Sequence, residues 1–425
     1  MNGYKRRIAD DILQKKLKSK GAVLIEGPKW CGKTTTAEQA ASSILYMNEP
    51  SRIRQNLMRA DTDPESLLEG SNPRLIDEWQ IAPKLWDAVR FSVDHKRKFG
   101  LYILTGSAVP SNTEEINHTG TGRFSWLKMR PMSLYESGES SGEVGLMQLF
   151  NSPEEKVRGG SELALKDISF LICRGGWPMA LNVPDDVALQ QAIDYYDAVV
   201  KEDITRVDGI RKDTGYIKRL MRSYARFQGG QVSIDTILAD LNNNEGADPS
   251  NKTVSSYIKA LKKIFVIEDM EAWNPNLRSK TAIRTSDTRY YVDPSIATAA
   301  LGIGPSSLFD DFETMGLLFE TMAIRDLRVY SDALDASVYH YRDKSGLECD
   351  AVIHCRDGRY GLIEIKLGGD RLIEEGAASL KKLADKIDTE KMKKPSFLMV
   401  LTANGDSAYR RTDGVIVVPI GTLGP

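Results

Sequence analysis

Eight consecutive residues carry the clearest chemistry in this chain. Gly27-Pro28-Lys29-Trp30-Cys31-Gly32-Lys33-Thr34 reads G-x-x-x-x-G-K-[ST]. That spacing suits a loop whose backbone N–H groups cradle phosphates. Lys33 is placed to reach the β- and γ-phosphates, and Thr34 to ligate Mg²⁺. Thr35 is counted with the loop, and a helix starting at Lys33 would add the favourable dipole of its N-terminus. The expected ligand is ATP with Mg²⁺.

Three further signals lie downstream. Leu75-Ile76-Asp77-Glu78 ends an apolar run. Asp77 there would hold Mg²⁺ through water, and Glu78 would position the attacking water. Leu104-Thr105-Gly106-Ser107 ends another run, and the Ser107 hydroxyl could sense the γ-phosphate. Arg123 follows in Thr119-Gly120-Thr121-Gly122-Arg123. It reads equally as an arginine finger, a nucleotide-state sensor or an exposed loop arginine.

A second constellation lies near the C-terminus. Asp350 is followed by Glu364-Ile365-Lys366, the pattern D-x₁₃-E-x-K. Residues two apart on a strand face the same side, so Glu364 and Lys366 go together. Carboxylates so placed can hold Mg²⁺, while lysine supports the attacking water. Glu320 could add a ligand from a preceding helix, and nearby Glu348 leaves the set open. A polar strand-end cluster, or a fold used only for binding, reads the same residues as well.

Around these sites, residues 21–26, 74–76 and 101–104 read as apolar strands separated by helical stretches, notably 33–44 and 85–93. Strands alternating with helices imply an α/β fold with a parallel sheet. The stretch 131–167 is Gly/Ser-rich and carries seven acids against three bases. It reads as a flexible insertion or lid. Residues 187–227 read as helical, with a basic run from Arg206 to Arg226. Helices at 233–241 and 253–264, then strands at 267–272 and 289–292, suggest a winged helix. Lys252, Thr253, Ser255, Ser256, Lys259, Lys262 and Lys263 decorate its second helix, as DNA phosphate contact would need. The same face would serve a protein partner or simply be solvated. The last section alternates again: a helix near 319–328, strands at 338–342, 349–354 and 361–365, a helix near 377–386 and a strand at 397–401. The division expected is 1–165, 166–305 and 306–425.

Composition narrows the classes. The 425 residues are 41% hydrophobic and 27% charged, which excludes wholesale disorder. A net charge of −2 means any nucleic-acid surface is local. Four isolated cysteines and four histidines argue against a zinc site or a His-based triad. No run of 18 apolar residues and no apolar signal core appears, so the expectation is a cytoplasmic protein with no membrane partner. Oligomeric state stays open.

Taken in order, the loop motif, Leu-Ile-Asp-Glu-Trp-Gln, Leu-Thr-Gly-Ser, Gly122-Arg123 and Gly175-Gly176-Trp177-Pro178 resemble a prokaryotic AAA+/STAND-type ATPase family. In that family an ATPase module precedes a winged helix and a C-terminal domain of unknown function. The resemblance extends to Tyr196, Asp203-Ile204 and Tyr291-Val292-Asp293-Pro294, and keeps a glutamine at Gln80. It implies that Trp177-Pro178 lies near the adenine. The C-terminal pattern resembles the restriction-endonuclease-like PD-(D/E)xK core. Together these imply an ATP-driven switch coupled to nucleic acid. The alternatives are an ATP-gated DNA nuclease and an ATPase whose C-terminal domain only binds.

Overall fold

The computed structural model describes residues 3–107, 119–204, 213–244, 250–278 and 280–425. Two compact units emerge. One contains the described residues of Met1–Pro131, Lys201–Lys212 and Lys259–Val266; the other contains those of Met132–Val200, Asp213–Ile258 and Ile267–Pro425.

The first unit begins with helix α1 (Ile8–Leu17) and strand β1 (Ala22–Glu26). Helix α2 (Lys33–Ala40), β2 (Ser43–Tyr46), α3 (Ile53–Thr62), β3 (Arg74–Asp77), α4 (Lys84–Lys96), β4 (Tyr102–Gly106) and β5 (Phe124–Lys128) follow. The strands form one sheet in the order β2-β3-β4-β1-β5, every pair parallel. Strand alternation explains the layering. Ala22 and Leu24 join Leu85, Trp86 and Val89 of α4 on one face. Val23 and Ile25 join Leu13, Leu17 and Ala37 of α1 and α2 on the other. With both faces covered, the strand cores are almost wholly apolar. Glu26, Asp77 and Gly106 all end strands at the same edge, the usual place for a ligand in such sheets.

In the second unit, short helices at Leu134–Ser137 and Leu146–Asn151 are followed by helices α5 (Leu165–Arg174), α6 (Asp185–Ala198), α7 (Thr214–Arg226) and α8 (Ile234–Asn244). Helix α9 (Asn251–Lys263) follows, its residues past Ile258 grouping with the first unit. The expected wing is reduced to two antiparallel bridges, Ile267–Tyr291 and Met270–Thr288. Past Met270 the chain takes another partner. The His340 N–H donates to the Glu271 carbonyl at 3.1 Å and the Trp273 N–H to the His340 carbonyl at 2.7 Å. Of the basic run 206–226, residues 206–212 lie outside the described residues.

Helices α10 (Pro294–Leu301) and α11 (Phe312–Ala333) lead into strands β6 (Ala336–Arg342), β7 (Glu348–Cys355) and β8 (Tyr360–Lys366). Helix α12 (Asp370–Lys386), β9 (Phe397–Thr402), β10 (Tyr409–Arg410) and β11 (Ile416–Pro419) complete the unit's sheet. The strand order is β10-β11-β9-β8-β7-β6. β6, β7 and β8 pair antiparallel, whereas β8 and β9 are parallel with α12 as the crossover. Ala377, Leu380 and Leu383 of α12 pack on Val352, Leu362 and Val400 of the sheet.

The acidic stretch after Pro131 is bound into this unit. Val144–Gly145 pairs parallel with Leu423–Gly424, and the Ser140 hydroxyl donates to the Leu423 carbonyl at 2.7 Å. The Ala408 N–H donates to the Gly159 carbonyl at 2.8 Å, and Phe150 meets Phe397 edge-on at 5.0 Å. Where the sequence suggests a flexible insertion, backbone pairing and aromatic packing fix the segment. Its charge density hid that role, although two of its acids take part in the packing: Glu136 is buried and accepts the Ser133 N–H, and Glu139 pairs with Arg174.

Among the described residues no helix is long and apolar enough to cross a membrane.

Candidate functional site

The loop 27–34 connects β1 to α2 at the carboxyl edge of the sheet. A side chain at Gly27 would meet the Met129 carbonyl at 2.0 Å, so only glycine fits. Gly32, at φ 98°, takes the left-handed turn that starts α2. Trp30 adopts a positive φ of 65° and is about half exposed, while Cys31 is buried with its thiol toward the Met129 carbonyl. The two bulky residues thus sit on opposite sides of the loop. The buried Lys33 ammonium donates to the carbonyls of Gly27 at 2.9 Å and Pro28 at 2.7 Å. Lys29 pairs with Asp203.

Beside the loop, the Thr34 and Thr105 hydroxyls both donate to Asp77 Oδ1 at 2.6 Å. Register explains this, since Asp77 of β3 lies opposite Thr105 of β4. A hydroxyl and a carboxylate so close offer hard oxygen donors, and the set fits Mg²⁺. Glu78 has a left-handed backbone (φ 57°), a strained conformation that recurs at functional sites. Its carboxylate accepts from the Ser107 hydroxyl at 3.2 Å and from the Gln80 amide. Ser107 therefore touches Glu78, and Thr105 touches Asp77. The sequence pointed to Ser107 but left Thr105 unassigned.

Asp350, Glu364, Lys366 and Glu320 also come together, as their positions on β7, β8 and α11 predict. Lys366 Nζ lies 2.6 Å from Glu364 and 3.1 Å from Asp350. Asp350 also accepts the Ile365 N–H at 2.7 Å, and Glu320 accepts from the Tyr290 phenol. Burial pushes the Glu320 and Glu364 carboxyls up to about 8, with the Asp350 charge adding to it. Burial alone would lower the Lys366 ammonium, but Asp350 and Glu364 outweigh it and hold it charged. Among the described residues no group of three or more His, Cys, Asp or Glu is arranged to hold a metal ion. As placed, these donors fit an ammonium, and Lys366 is that ammonium.

Residues 19–138 match a family described as an AAA domain. The first unit holds an AAA-type P-loop ATPase domain. Residues 165–307 and 315–423 match two families described as domains of unknown function, DUF8612 and DUF4143. Two curated proteins described as uncharacterized, Rv2008c of Mycobacterium tuberculosis and Mb2031c of Mycobacterium bovis, are each 22% identical over 365 residues. Those alignments cover 85% of this chain and 74% of theirs. A solved Walker-type ATPase of Pyrococcus abyssi aligns with a TM-score of 0.44 and 13% identity, over 70% of this chain and 96% of its own.

Within the ATPase domain, Arg123 does not join the loop. It precedes β5, and its carbonyl accepts the N–H of Ala22, the first residue of β1. The loop leaves the far end of that strand, so the two lie at opposite edges of the sheet. Arg123 pairs instead with Asp94 of α4 at 2.7 Å. The geometry removes the reading in which it serves the loop of its own chain. Pro178 belongs to the second unit. Its neighbour Trp177 is buried there, its ring tilted against that of Tyr195 at 4.2 Å and its N–H donating to the Ser295 hydroxyl at 3.0 Å. The motif at 291–294 is likewise part of a buried charge cluster. Asp293 accepts from Arg325 at 2.8 Å and from the Gly176 N–H at 3.0 Å. Arg325 also pairs with Asp326, which accepts the Leu134 N–H at 2.9 Å. Two stretches that carried the family resemblance thus meet in one structural cluster.

Proposed function

We propose that this chain is an ATP-driven switch that acts on nucleic acid through helix α9, without cutting it. The observation that carries the ATPase half is the Thr34–Asp77–Thr105 contact set beside a phosphate loop, with Glu78 held between Ser107 and Gln80. When bound, Mg²⁺ held by Thr34 and Asp77 would offset charge on the phosphates. Lys33 would exchange its two carbonyl partners for phosphate oxygens, a charge-assisted contact stronger than a neutral one. Glu78 orients water, and Ser107 and Gln80 fix its carboxylate. Pro178 is assigned to the nucleotide base only by resemblance.

The nucleic-acid half rests on α9. Lys252, Ser256, Lys259 and Lys263 are exposed at helical spacing and form one polar stripe. Such a stripe suits phosphate contact. The order α11-β6-β7-β8-α12-β9 and the placement of Asp350, Glu364 and Lys366 support likeness to a nuclease core. The lysine between the carboxylates favours the reading in which that core binds rather than cleaves. DNA and RNA incubated with Mg²⁺ or Mn²⁺, with and without ATP, test this. No cleavage, with binding lost when Lys252, Lys259 and Lys263 become glutamates, is the expected result. Metal-dependent cleavage that Asp350→Ala abolishes would establish the nuclease instead.

A further inference from the structure

Arg7 lies outside the matched ATPase segment and twenty residues before the loop. It nonetheless touches the loop from behind. It is 4% exposed and caps α1. Its guanidinium donates to the Cys31 carbonyl at 2.8 Å and to the Arg130 carbonyl at 2.9 Å. The fork thereby clips the loop to the segment after β5, whose Met129 carbonyl already crowds Gly27. Helix α1 is tied to α2 in turn, because the Tyr4 hydroxyl donates to Asp10 of α1 at 2.7 Å and lies 3.0 Å from the hydroxyl of Thr36 on α2.

A trans peptide points its carbonyl and the next N–H in opposite directions. Holding the Cys31 carbonyl outward therefore turns the Gly32 N–H the other way, toward the concave side of the loop. Gly32 has no side chain to limit the tilt of this peptide plane about its flanking dihedrals, so the restraint comes from outside. We propose that Arg7 is a positioning residue for the nucleotide, fixing the Cys31–Gly32 peptide so that the Gly32 N–H faces the phosphates. The inference rests on the ATPase reading of the loop. A preset donor binds more tightly because its orientation is not lost on binding. A lysine cannot reproduce a two-acceptor planar fork.

The test titrates the full chain with fluorescent ATP and ADP analogues in Mg²⁺. It compares wild type, Arg7→Ala, Arg7→Lys and Lys33→Ala, with melting curves and ATP turnover alongside. Arg7→Ala is expected to weaken both nucleotides about tenfold while keeping kcat at saturating ATP within threefold. Arg7→Lys should fall between. A merely structural role would lower the melting temperature and leave the Kd of the folded fraction unchanged, and that result overturns the inference. If Arg7→Ala does not fold, Arg7→Lys decides on the same readout. Wild-type binding that Lys33→Ala abolishes and the Arg7 variants leave within twofold overturns this inference alone. No nucleotide binding by wild type overturns the ATPase reading and this inference together.

Discussion

Each unit carries a lysine and carboxylates at its candidate site, and the two use them in opposite ways. In the ATPase domain Lys33 holds two backbone carbonyls, and Asp77 is engaged by hydroxyls. Neither group has its charge neutralised by the other, so both can be offered to a ligand. In the second unit Lys366 bridges Asp350 and Glu364 directly. That cluster satisfies itself, and burial makes its charges costly to separate. The same residue types thus build a receptive site in one place and a closed one in the other.

The largest effect expected is at Lys33. Lys33→Ala should reduce ATP hydrolysis at least a hundredfold, read by phosphate release, while the second unit keeps its urea midpoint. Next, Glu78→Gln should slow hydrolysis by about 10²–10³ while ATP still binds, since a water-orienting group is lost but the cradle is not. Lys366→Met should cost the second unit about 3 kcal/mol in urea denaturation, because the buried Glu364 and the half-buried Asp350 then face each other without the ammonium between them. A variant that keeps its stability and gains Mn²⁺ affinity would break the contrast, making the second site open as well.

A pH series sharpens it further. The folded-state Glu320 and Glu364 carboxyls are raised above their unfolded values. Such groups stabilise fully below the unfolded pKa and lose that contribution as pH rises through about 8. The second unit should therefore lose stability as pH rises from the ordinary carboxylate range to about 8 and level off above it, and Glu320→Gln should flatten that limb. The smallest effect belongs to Arg123→Ala. Hydrolysis by a dilute single chain should stay within twofold of wild type; a large loss would mean that Arg123 serves the loop of another copy.

The receptive site was the more legible of the two. A phosphate loop is local in sequence, so its residue spacing alone foretold the strand, turn and helix around it. Asp77 and Glu78 followed from their place after an apolar run. Strands β2 and β5 give little signal because Ser43–Tyr46 is four residues long and Phe124–Lys128 mixes a serine and a lysine with aromatics. Arg7 left no signal, since a clip to backbone carbonyls imposes no pattern on the residues it holds. The edge on which Arg123 falls depended on β5, which was not foreseen. At the second site, strand period placed Glu364 and Lys366 together correctly. What one-dimensional spacing could not tell was whether the lysine stands beside the carboxylates or between them.

The pairing of Val144–Gly145 with Leu423–Gly424 bears on how the chain is made. The Ser140 and Leu423 partners lie 283 positions apart. Synthesis runs from the N-terminus, and domains tend to fold as they emerge. The five strands of the ATPase sheet can close early, whereas the segment just after them waits for partners made much later. During that interval a Ser- and Gly-rich, acid-bearing stretch stays hydrated where an apolar one would stick to its neighbours. Its composition suits a long wait before docking.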